Sequence, residues 1–112
     1  MKKIIFLTLL SISFSGSIMA QQTPAAQLAH KIADKMKDSL GLSNQQRAKV
    51  FQINMDLFHQ KDEARKRSTD RTVIGRDIQS IEKTRDSLYK PELTTEQYLL
   101  YLQKKRWLVN NN

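Results

Sequence analysis

From Pro24 onward, apolar residues recur at spacings of three and four, not two, so the chain reads as helical and no strand is predicted. The first helix is predicted over Pro24–Leu40. Thr23 supplies an N-cap, Pro24 suits the first turn, and Gly41 ends the helix in the left-handed region. Its stripe, Leu28, Ile32 and Met36, is thin and padded with alanine, which predicts weak docking. The second helix is predicted over Asn44–Arg67 behind Ser43. At 100° per residue, Val50, Ile53, Leu57 and Ala64 form one stripe of it. Phe51, Met55 and Phe58 form another, expected to be free for a partner.

A third helix is predicted over Asp70–Tyr89, started by Ser68-Thr69-Asp70 and stopped by Pro91. Ile74, Ile78, Ile81 and Leu88 make its narrow stripe. Arg85 falls inside that stripe, and its long stem is expected to snorkel to water; the alternative is a buried partner for a carboxylate. The fourth helix is predicted over Thr95–Val109, with Tyr98, Tyr101, Leu102 and Val109 on one side and Leu100 and Trp107 on the other. The fold class expected is all-α, a small helical hairpin or bundle of about four helices in one domain over 21–112.

Residues 1–20 stand apart. Lys2 and Lys3 precede an apolar run from Ile4 to Leu10, extended through Phe14, and small residues lead to Ala20 before a polar Gln21-Gln22. This is the layout of a cleavable secretory signal, with the cut expected after Ala20 and no stable membrane insertion afterwards. The run is shorter than the ~20 residues that span a bilayer. With no cysteine in the chain, lipoprotein anchoring and disulfides are both excluded. A core this small then needs other support, and the spare apolar faces predict a homodimer.

Charge narrows the partners. The chain carries a formal +8, and losing Lys2 and Lys3 leaves it strongly basic. For an exported protein this points away from nucleic acid and towards acidic polypeptide segments, anionic lipid or lipopolysaccharide. Arg65, Lys66, Arg67, Arg71 and Arg76 cluster around the bend between the second and third helices. They read either as a solvated face or as a capture surface, the latter favoured by nearby Phe51, Met55 and Phe58. Trp107 with Leu100 reads as a dimer or client contact, or as packing under the first helix. No Ser/His/Asp set, phosphate loop or paired-carboxylate pocket is visible, so a non-enzyme without cofactors is expected. His30 and His59 are isolated imidazoles and do not make a zinc site.

Two helix starts repeat one pattern: Leu42-Ser43-Asn44-Gln45-Gln46 and Leu93-Thr94-Thr95-Glu96-Gln97. Each is a capping box. The hydroxyl accepts from the third helical N–H, the Gln reaches back to the cap's own N–H, and the Leu can staple the entry. If the helices between them fold back as a hairpin, both motifs arrive at the same end. On these motifs (Leu42, Ser43, Gln46; Leu93, Thr94, Gln97), with the signal and the basic helical character, the chain resembles the Spy/CpxP family of periplasmic proteins, marked by paired LTXXQ motifs. The resemblance covers about Gln27 to Lys105; Ser43 stands where the motif has Thr and keeps the same chemistry. It implies a cradle-like antiparallel dimer and a periplasmic, ATP-independent chaperone that holds unfolded protein clients during envelope stress. It also implies an alternative, a regulator that docks on and restrains an envelope-stress sensor kinase. A third reading, from charge alone, is a cationic membrane- or lipopolysaccharide-binding protein.

Overall fold

Capping side chains set four of the five helix starts. In the computed structural model, which describes residues 23–110, α1 spans Pro24–Leu40, α2 Asn44–Arg67, α3 Arg71–Glu82, α4 Arg85–Tyr89 and α5 Thr95–Val109. A 3₁₀ turn at Lys90–Glu92 joins α4 to α5. The leader expected at 1–20 lies outside the described residues. Those residues contain no strand, and the fold is an all-α small bundle. Thr23, Ser43, Asp70 and Thr94 each accept a backbone N–H of the first turn through the side chain. Gly41 sits at φ 69°, where only glycine is at ease, and its N–H closes the last turn of α1 onto the Lys37 carbonyl at 2.9 Å.

The predicted third helix is two helices. At the break, the Thr84 hydroxyl donates to the Ile81 carbonyl at 2.7 Å and the Thr84 N–H to the same carbonyl at 3.1 Å. A side chain that competes for helix carbonyls tightens the turn and tips the axis. Upstream of the break, α3 packs chiefly on α2 and has no fully buried residue. Downstream, Arg85 and Tyr89 of α4 turn into the core.

The core joins Ile32, Ala33, Met36 and Leu40 of α1 to Leu42, Val50, Tyr89, Tyr101 and Leu108. The alanines that made α1 look weak are what seat it, since Ala29 and Ala33 are fully buried and let α1 lie close against α2. Expectation and structure also part on α5. Leu108 is buried and Leu102 is exposed, while Leu100 packs at the rim of the core and Trp107 stays out. The two residues read together, Leu100 and Trp107, therefore sit in different surroundings. Beyond the reach of α1, the end of α2 and the start of α3 form a two-helix arm.

Candidate functional site

The two capping boxes meet. In each box the cap hydroxyl accepts from the Gln N–H at 3.1 Å and the Gln Oε1 accepts from the cap N–H at 2.9 Å. The glutamines then bond to each other: Gln46 Nε2 donates to Gln97 Oε1 at 2.7 Å, and Gln97 Nε2 to Gln46 Oε1 at 3.3 Å. Each also reaches a carbonyl next to the other motif. Gln46 Nε2 donates to Glu92 O at 3.1 Å and Gln97 Nε2 to Gly41 O at 3.3 Å. The pair is a two-way clasp that fixes the start of α2 against the start of α5. It explains the choice of Gln. Glu serves equally well in a capping box but has no N–H to give the opposite motif. The leucines differ in role: Leu42 is buried in the core, whereas Leu93 precedes a cap whose fourth helical residue is Tyr98, the pairing of a hydrophobic staple.

Two stability measurements separate cap from clasp. Thr94→Ala is expected to cost about 1 kcal/mol, and Ser43→Ala about 0.5–2 kcal/mol, as ordinary N-caps do. Gln97→Glu keeps the cap but removes the cross-motif donor and sets a carboxylate beside Gln46 Oε1, so it should cost about 1–3 kcal/mol in chemical denaturation. Wild-type stability for Gln97→Glu would reduce the motifs to two independent caps.

A second polar cluster lies at mid-height. Arg85 is 1% exposed and donates to Asn54 Oδ1 at 2.9 Å, to Tyr89 OH at 2.7 Å, and through Nε and Nη2 to Glu82. Asn54, fully buried, donates to the Ala29 carbonyl of α1 at 3.1 Å and accepts from the Tyr89 hydroxyl. Lys61 holds the other side of Glu82. Arg85 thus does not snorkel; the buried-partner alternative is what occurs, because Asn54, Tyr89 and Glu82 satisfy a guanidinium that apolar walls would not tolerate. Burial opposes charge on Glu82, but hydrogen bonds from Arg85 and Lys61 prevail and hold its carboxyl below the usual range. Burial likewise opposes charge on Arg85, and the Glu82 bond outweighs it, so the guanidinium is more firmly protonated than usual. Burial pushes the Tyr89 hydroxyl up to about 12. The Tyr101 hydroxyl, desolvated and donating to Asp86 at 2.8 Å, is also pushed up. Nothing in the sequence reading singled out Asn54.

The basic residues lie where expected. Arg65, Lys66, Arg67, Arg71 and Arg76 are all exposed on the two-helix arm. Arg65 and Lys66 stand 3.9 and 3.8 Å from Asp62, two cations sharing one carboxylate in solvent-exposed pairs of little energetic weight. Along the arm Val73, Ile74 and Ile78 are half-buried, with no third layer over them. The second α2 stripe is less free than expected. Phe51 stacks on His30 with ring centroids 4.1 Å apart, and Phe51 and Phe58 pack against the core. The half-buried Met55 and Phe58 border a groove. The exposed large apolar residues Leu99, Leu102 and Trp107 share α5, with the Lys35 ammonium 4.8 Å from the centre of the Trp107 ring.

His30 Nδ1 faces an Arg47 nitrogen at 3.1 Å; a guanidinium only donates, so Nδ1 is the acceptor. Among the described residues, no group of three or more His, Asp or Glu is placed to hold a metal ion, and no helix is long and apolar enough to cross a membrane. The chain matches no protein-family model, no curated protein and no solved structure.

Proposed function

We propose that this protein is an ATP-independent holding chaperone of the periplasm that binds unfolded or misfolded polypeptides. The carrying observation is the two-helix arm, where five exposed cations, Arg65, Lys66, Arg67, Arg71 and Arg76, flank half-buried Val73, Ile74 and Ile78. Charge gathers acidic, partly unfolded chains from a distance, and adaptable apolar surface then holds them. The half-buried clasp and the buried Arg85 cluster anchor the rest of the bundle and leave the arm to do the binding. The secretory layout of 1–20 and the resemblance to the Spy/CpxP group support the periplasmic assignment and the client class. In this reading two copies pair, covering the Leu99, Leu102 and Trp107 face of α5.

Light scattering tests the proposal. Several unrelated unfolding clients should aggregate less at a stoichiometric amount of this protein, with no nucleotide present. Sedimentation at micromolar concentration should give a dimer. No protection of any client, with tight binding to one sensor domain instead, would replace the chaperone reading with a regulatory one.

A further inference from the structure

A groove of about 620 Å³ opens between the start of α1 and the second half of α2, a size within the ~300–1,000 Å³ of small-ligand sites. Leu28, Ile32, Met55, Phe58 and Val109 form its apolar wall. Lys61, Arg65 and Arg85 border it with the two carboxylates of Glu82 and Asp62. Each carboxylate is shared by two cations. Glu82 is held by Lys61 and Arg85, and Asp62 lies between Arg65 and Lys66. Three cations line the groove against two carboxylates, so one positive charge is left over at an apolar cleft. Thr23, Pro24 and Ala25 also line the groove, and the first turn of α1 has no acidic residue to offset its dipole.

We propose that this groove binds a single-chain amphiphile with an anionic head, of the medium-chain fatty acid type. The tail lies along Leu28, Met55 and Phe58, and the head sits at the Lys61–Arg65 rim by the start of α1. A neutral or cationic amphiphile would bury the same tail but leave the excess charge unanswered. The inference stands apart from the chaperone proposal, since it needs no unfolded client and shares only Arg65 with the arm.

Isothermal titration of the purified protein with dodecanoate, kept below its micelle concentration, should show one saturable site per chain. Decanoate should bind about fifteenfold more weakly, at about fourfold for each methylene removed from the wall. Dodecyltrimethylammonium should not bind. Arg65→Glu, at an exposed position, should weaken dodecanoate by about three- to tenfold. Ala25→Glu should weaken it similarly while favouring the helix, because an acid in the first turn suits the dipole. That variant separates loss of the site from loss of the fold. Absence of a saturable site, equal binding of the cationic amphiphile, or silence of both variants would overturn the proposal.

Discussion

Arg85→Ala should destabilise the protein by about 3–5 kcal/mol, among the largest effects open to a single substitution here. The guanidinium fills space between α2 and α4 and satisfies Asn54 and Tyr89 together. Removing it opens a cavity and leaves a buried amide oxygen and a phenol each short of a partner. The cost comes from what is left unpaired, not from any surplus in the cluster. Arg85→Met combined with Asn54→Leu and Tyr89→Phe should therefore recover much of the loss, since an apolar set of similar volume needs no partners. Urea denaturation of the single and triple variants decides it. If Arg85→Ala melts like wild type, the cluster is decoration on a core that stands without it.

The same cluster predicts a stability plateau with two edges. Glu82 ionises more readily folded than unfolded, so its contribution is complete above its ordinary value of 4.5 and is lost as pH falls through the lower folded value. Tyr89 is the opposite case. Its folded value, about 12, lies above the ordinary 10.0, so its contribution is complete below 10.0 and is lost as pH rises towards 12. Denaturation midpoints across that range should be flat between the edges, and Glu82→Gln should blunt the acid edge.

What was legible in the sequence was local. Thr23, Ser43, Thr94 and Gly41 act on backbone groups within one turn of themselves, so α1, α2 and α5 end where the caps place them. The meeting of the two motifs was also legible, because it follows from a hairpin of two comparable arms. The partners of Arg85 were not. Asn54 lies between Val50 and Leu57 on the buried face of α2, and its meaning appears only once Lys61 is seen opposite Glu82. Two turns earlier on α2, and two turns later past the break, Asn54 then meets Tyr89. A polar residue in each of two facing stripes was the available signal. The docking of α1 was misjudged for another reason. Hydrophobicity ranks Ala29 and Ala33 low, yet close approach of two helices needs small side chains more than greasy ones.

Reversing Arg65, Lys66 and Arg67 to Glu should slow capture of an acidic unfolded client by about tenfold or more at low salt. Opposite charges attract over about 8 Å at physiological ionic strength, so added salt should slow capture by wild type and leave the reversed variant nearly unchanged. Apolar contacts hold under many salts, so release should change less. Fold loss is a rival explanation, because these three cations occupy the last turn of α2, where they favour the helix dipole. Arg71→Glu removes that ambiguity. Arg71 opens α3, where an acid is the better residue for the dipole, so this variant should hold or gain stability while still losing on-rate. Ile74→Ala tests the other half of the mechanism. Ile74 is half-buried on the arm with no third layer over it, so its loss should cost less than a core deletion and speed client release. Phe51→Ala is a poorer probe, since that ring stacks on His30 beneath α1 and its removal reads as instability. Stopped-flow binding resolves the two rates. If salt and both charge reversals leave the on-rate unchanged, the cations of the arm are a solvated face and capture takes place elsewhere.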